Sequence, residues 1–115
     1  MRERAMIEDT LQKIEARIQN AESISDDKRR ELVELLGKLK AEVASLSRTD
    51  AEQARSIAGF AELSAHEATR TEKNPELLSH AVGGLSSSVQ GFEESHPKLV
   101  QIVNAVSSFL SNLGI

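Results

Sequence analysis

The chain has 115 residues, with 14 Lys and Arg, 18 Asp and Glu, and a formal net charge of −4. It contains no Cys, Trp or Tyr and only three Phe. The absence of Cys excludes disulfide scaffolds, thiol catalysis and Cys-ligated metal sites. The mild acidity argues against nucleic-acid binding, and no apolar run is long enough to cross a bilayer. The charged N-terminus lacks the apolar core of a signal peptide.

The first part of the chain predicts two amphipathic helices, over Arg2–Glu22 and Asp26–Leu46. In both, apolar residues alternate four and three residues apart, as in the seam of a coiled coil. Ser25 is the predicted N-cap of the second helix, because its hydroxyl can accept a free backbone N–H. Two such helices joined by a short polar link predict an antiparallel hairpin.

An alanine-rich helix is predicted over residues 50–70. Its apolar face consists mainly of alanine: Ala51, Ala54, Ile57, Ala58, Ala61, Ala65 and Ala68. Such a face buries little area but lets another helix approach closely. Phe60 and Leu63 point away from it, which predicts a second contact face. Thr49 and Glu52 fit a capping box, and the sequence leaves open whether a helix starts there or continues the second one.

Two more helices are predicted over Pro75–Glu93 and Pro97–Leu113, each with proline at its first position. Asn74 is the predicted N-cap of the former. Residues 77–92 and 99–115 carry no formal charge. Because a neutral polar face costs less to bury than a charged one, we expect this region to be covered by the N-terminal hairpin or by a second subunit.

Two strings carry a family resemblance. They are GFEESHP at residues 91–97, ahead of a last helix that ends in Gly114-Ile115, and SDDKRREL at residues 25–32. They resemble a small bacterial all-helical family of unknown function, with a Phe-Glu-x-x-His-Pro motif and a C-terminal Gly-Ile. The resemblance covers residues 24–48 and 75–115, and the alanine-rich stretch 50–70 looks like an insertion relative to shorter members. It implies a cytoplasmic bacterial protein and no activity, cofactor or catalytic residue.

The candidates for metal or acid–base chemistry are weak. Glu62 and His66 are four residues apart on one predicted helix, and Glu76 and His80 on another, but a metal site needs more ligands than either pair supplies. The serines at 86–88 lack the strand–turn–helix context of a nucleophile elbow. We therefore predict no catalytic residue, no cofactor and no metal ligand.

Two polar features have both a structural and a functional interpretation. His96, before Pro97, either caps the last helix or forms a partner-binding corner, and we favour the cap. The basic cluster of residues 28–30 has acidic neighbours, which favours a solvated helix face. The last helix carries a single basic residue, Lys98, whereas membrane-surface helices typically carry several Lys and Arg residues on their polar face.

The sequence as a whole predicts an all-α fold of four to five helices, whose antiparallel hairpins form a bundle or coiled-coil-like assembly. A single helical domain spans residues 1–115. It comprises a charged heptad hairpin (1–48), an alanine-rich helix (50–70) and a neutral C-terminal hairpin (75–115).

We expect a homo-oligomer, a dimer being favoured, or a complex with another helical protein. The residues predicted at the interface are small or aliphatic: Ala58, Ala61, Ala65, Gly84, Gly91, Val103, Val106 and Leu110. The predicted function is that of a cytoplasmic, non-enzymatic structural or adaptor module that acts through helix–helix association. The alternative is a helical bundle that binds a small apolar ligand, with an enzymatic role left open.

Overall fold

The structure, a computed structural model, describes the backbone of residues 2–113 and the side chains of residues 5–113. Its elements are five helices: α1 (Arg2–Asn20), α2 (Asp26–Leu46), α3 (Ala51–Thr69), α4 (Pro75–Ser87) and α5 (Pro97–Leu113). Residues 2–113 contain no strand, so the all-α prediction is confirmed. Gly114 and Ile115, which the family resemblance includes, lie outside the described residues.

The helices form two layers, with α1, α3 and α4 in one and α2 and α5 in the other. Helix α3 packs against all four other helices, whereas within residues 2–113 α1 contacts only α2 and α3, and α4 only α3 and α5. Helices α1 and α3 run parallel, because residues 6–10 lie beside residues 55–62, and residues 13–21 beside 59–69. Helices α3 and α4 run antiparallel, and the side-chain amide of Gln53 donates to the Ser88 carbonyl.

One apolar core is shared by all five helices. Leucine, isoleucine and valine supply it from α1, α2 and α5, and in α1 and α2 they lie at the heptad positions that the sequence predicts. Helix α3 contributes mainly alanine to the same core: Ala54, Ala58, Ala61, Ala65 and Ala68, with Ile57. Because alanine is short, the axis of α3 can lie close to its four neighbours while the larger side chains interdigitate around it.

The link between α2 and α3 is a real break, so the two helices are not continuous. Thr49 does not cap α3 as predicted, because its hydroxyl donates to the Leu46 carbonyl at the end of α2 (3.3 Å). The N-cap of α3 is Asp50, whose carboxylate accepts the Gln53 N–H at 3.1 Å. The predicted N-caps Ser25 and Asn74 are confirmed.

Helix α4 is shorter than the predicted Pro75–Glu93. It ends at Ser87, and the following turns use tighter hydrogen bonds, such as Gln90 N–H to the Ser87 carbonyl (3.1 Å). Gly91 then adopts a φ of +93°, a left-handed conformation that glycine reaches without strain. Val89 still packs into the core, so the apolar pattern continues beyond the end of the helix.

The sequence predicts that the basic cluster of residues 28–30 lies on a solvated helix face, but Arg29 does not. Its guanidinium folds back over the end of α1 and donates to the carbonyls of Ile18 (3.2 Å) and Ala21. It also donates to the Ile24 carbonyl at 2.9 Å and to Asp26 at 2.6 Å. Carbonyls at a helix C-terminus lack partners within the helix, so Arg29 satisfies them and holds the α1–α2 corner.

Replacing Ala61 by leucine tests the packing of α3. Ala61 is 1% exposed at the centre of the alanine face, so we expect Ala61→Leu to lower the free energy of unfolding by about 1–3 kcal/mol through overpacking. The matched control is Ala41→Leu on the exposed surface of α2, where a change within about 0.5 kcal/mol is expected. Urea unfolding followed by circular dichroism measures both, and equal effects would contradict this account of α3.

Replacing Arg29 by methionine tests the corner. Methionine keeps much of the aliphatic volume but makes none of the hydrogen bonds, so we expect Arg29→Met to cost about 1–3 kcal/mol of stability. Arg30 is exposed beside it, and Arg30→Met is expected to be close to neutral. The same unfolding measurement applies, and a neutral Arg29→Met would show that water serves these carbonyls equally well.

Candidate functional site

Most of the residues predicted at an interface are buried inside the chain. Six of them are at most 2% exposed and pack against neighbouring helices of the same chain: Ala58, Ala61, Ala65, Val103, Val106 and Leu110. A second molecule could reach these side chains only if the core opened. Intermolecular contact through them would therefore compete with the fold itself, and exposed residues are the better place to look for an interface.

Gly84 and Gly91, the other two predicted interface residues, have separate local roles. A Cβ atom at Gly84 would lie well inside van der Waals contact with the ring of Phe60. The group that lies close to this glycine is therefore an aromatic ring of α3 in the same chain. Gly91 lies in the α4–α5 loop, where it is exposed and has the positive φ described above.

Apolar exposure concentrates around the outward side of α3. Among residues 5–113, the exposed large apolar side chains are Met6 (48%), Phe60 (38%), Leu63 (45%) and Leu77 (45%). Phe60 and Leu63 belong to α3, and Met6 lies where α1 borders it, beside Gly59 and Glu62. Leu77 lies two turns before Gly84, so it faces α3 on the same side of α4.

We call this surface the outer α3 face, and define it by Gly59, Phe60 and Leu63 with their neighbours Met6 and Leu77. It occupies the middle of the three-helix layer, between α1 and α4. Single exposed apolar residues are ordinary, but several gathered on one surface are typical of an interaction site.

A groove of about 760 Å³ follows the seam between α1 and α3 and is open to solvent. Lys13 and Arg17 line its α1 side, and Glu62, Leu63 and His66 its α3 side. An apolar side chain thus stands beside charged groups of both signs. This combination suits an amphipathic segment, which has an apolar stripe flanked by charges.

The histidine pairs do not build a metal site. The ring of His66 approaches Glu67, with 3.9 Å between Nε2 and Oε2, and Glu67 in turn accepts a hydrogen bond from Arg70 at 2.9 Å. Within the part of the chain that the structure describes, no group of three His, Asp or Glu residues is arranged to hold a metal ion.

The Phe-Glu-x-x-His-Pro string shapes the corner between α4 and α5. The His96 N–H donates to the Phe92 carbonyl at 2.8 Å, and the two rings meet edge to face at 5.6 Å. The Glu93 carboxylate accepts the Gly91 N–H at 2.8 Å. The His96 carbonyl accepts the Val100 N–H at 3.2 Å, so the backbone of His96 occupies the N-cap position of α5 while its ring packs on Phe92.

A second groove, of about 580 Å³, lies between α4 and α5 and is lined by uncharged residues. Serines supply most of its polar groups, and the hydroxyls of Ser86 and Ser107 lie 3.3 Å apart. The neutral surface predicted for the C-terminal hairpin is therefore only partly covered: α2 packs on α5, but this groove stays open.

Comparison with protein families gives a match over residues 32–115 to the family described as a domain of unknown function, DUF4404. The chain belongs to this family. The resemblance to a family of unknown function is thereby confirmed. The DUF4404 match begins inside α2 and includes residues 50–70. Most of the outer α3 face therefore lies within it, whereas α1, and with it Met6, lies outside. No curated protein and no solved structure matches the chain.

Within residues 2–113 of this DUF4404 protein, no helix combines the length and the apolarity that a membrane span requires.

The sequence indicates part of the outer α3 face, because Phe60 and Leu63 lie outside the alanine stripe. The sequence does not indicate that Met6 and Leu77 belong to this face. Each lies outside the apolar stripe of its own helix, and the pattern within one helix does not show which other helix lies beside such a residue.

Gly84→Ala tests the contact between α3 and α4. In an open helical site this change stabilises by about 1 kcal/mol, and we expect that gain at Gly83, whose surroundings are open. At Gly84 the added methyl group displaces the Phe60 ring, so we expect a net loss of about 1–2 kcal/mol. In a Phe60→Ala background the two glycines are expected to behave alike. A loss at Gly84 that persists without the ring would contradict this assignment.

Proposed function

We propose that this chain is a non-enzymatic structural or adaptor module that acts through helix–helix association at its outer α3 face. The observation that carries the proposal is the gathering of Met6, Phe60, Leu63 and Leu77 around one helix, while the remaining large apolar side chains of residues 5–113 are at least partly buried. Apolar area that is left exposed in this way gains stability when a partner covers it.

The groove between α1 and α3 supports a helix rather than a small apolar molecule as the occupant. Sites for small apolar ligands bury most of the ligand surface, whereas this groove is open along its length and has charged side chains on both walls. An amphipathic helix can place its apolar stripe over Leu63 and keep its charged flanks beside Arg17 and Glu62. The cytoplasmic location stays a prediction.

A photoreactive phenylalanine analogue at position 63 tests the proposal in living cells. We expect irradiation to link it covalently to a helical segment of a protein, with a yield about fivefold above that of the same analogue at Ser45, an exposed position on α2. Mass spectrometry of the adduct identifies the helix. A yield at position 63 no higher than at position 45 would overturn the proposal.

The ligand-binding alternative predicts a different result. A small apolar ligand would raise the melting temperature of the isolated chain by mass action, and a Leu63→Gln substitution would reduce that shift. A protein adduct at position 63 without any ligand-dependent shift supports the adaptor function.

A further inference from the structure

One line of exposed positions runs along the outward side of α3. Glu52, Gly59, Leu63 and Arg70 fall within about 40° of each other around the helix, at 100° per residue. Glu52, Gly59 and Leu63 are exposed, and Arg70 is partly exposed at the C-cap. The line therefore begins with an acid, ends with a base, and has a glycine and a leucine at its middle.

We propose that the occupant of the outer α3 face is the same face of a second copy of this chain, related by a two-fold axis that sets the two α3 helices antiparallel. This inference rests on the proposed function and names its partner. Closed two-fold pairing requires a surface that is complementary to itself, and both the shape and the charge of this line meet that condition.

Gly59 and Leu63 are complementary in shape. In an antiparallel pair centred on residue 61, each Leu63 lies opposite Gly59 of the other copy. Leu63 protrudes, with 45% of its surface exposed, and nothing lies within 4 Å of the point where a Gly59 Cβ would be. By symmetry, each leucine thus lies over a position where the other helix has no side chain, and Phe60 lies next to this contact in the sequence of α3.

The charges of Glu52 and Arg70 also favour an antiparallel pair centred on residue 61. Residue 61 is also the midpoint between Glu52 and Arg70, which lie about 27 Å apart along the helix. The axis that places Leu63 over Gly59 therefore places Glu52 of each copy opposite Arg70 of the other. A parallel pair would instead oppose Glu52 to Glu52 and Arg70 to Arg70.

Arg70 can serve two carboxylates. It holds Glu67 of its own chain through one nitrogen at 2.9 Å, and its side chain is 32% exposed. A guanidinium has five N–H donors, so donors remain for Glu52 of a second copy. The antiparallel arrangement also pairs the negative end of each α3 dipole with the positive end of the other.

Light scattering after size-exclusion chromatography of the full chain, over a concentration series, tests the pairing. We expect a reversible dimer whose dissociation constant rises about tenfold or more in Gly59→Gln, because the side chain fills the gap for Leu63. The matched control is Gly37→Gln in α2, another exposed helical glycine with open surroundings, for which a change below about twofold is expected. Thermal unfolding at low concentration checks that both variants fold.

Charge reversal tests the orientation. Glu52→Arg or Arg70→Glu alone creates two like-charge contacts per antiparallel dimer, and we expect the dissociation constant to rise about threefold to tenfold. The variant that carries both substitutions restores both contacts, so its value is expected within about twofold of the unmodified chain. Loss of the Arg70–Glu67 ion pair alone would not be rescued in this way.

A monomer up to about 1 mM, well above the dissociation constants of stable complexes, overturns the inference. So does a dimer in which Gly59→Gln is as harmless as Gly37→Gln, or in which the double reversal gives no rescue. A monomer whose residue 63 crosslinks to a different protein overturns the inference and leaves the proposed function standing. Absence of any adduct at residue 63 overturns the proposed function.

Discussion

Alanine side chains line the inward face of α3, and every other helix of the chain packs against that helix. The two layers depend on this constraint. A helix in the middle of a three-helix layer, with two more helices beneath it, must present little bulk to four neighbours at once. Leucine, isoleucine and valine of the surrounding helices then fill the space that the short side chains leave. The low aromatic content of the chain is compatible with a core built in this way.

A helix that is occupied on its inward side has only its outward side free for other contacts. In α3 that side carries Gly59, Phe60 and Leu63, with Met6 and Leu77 at its borders. The same helix therefore organises the core and presents the candidate interaction surface. The family match includes all of α3, whereas α1 and its residue Met6 lie outside it.

Local signals in the sequence predicted local structure well. Ser25 and Asn74 act as caps because a cap depends only on a few neighbouring residues. Thr49 failed as a cap because an adjacent aspartate competes for the same position. Arg29 differed from its neighbours because the carbonyls it serves belong to the end of α1 and the link that follows it. Periodicity identified the apolar faces of all five helices, but a periodic pattern does not state what covers a face. For this reason, six of the eight residues predicted to meet a second molecule pack inside their own chain.

The contact between Phe60 and Gly84 couples two positions of this chain. The aromatic ring on α3 lies where a side chain at position 84 would lie, so a larger residue at position 84 favours a paired change to a smaller residue at position 60. Because Phe60 also borders the outer α3 face, such a paired change would alter the surface together with the packing. A change at position 84, which is not itself on the outer α3 face, would thus reshape that face through the Phe60 ring.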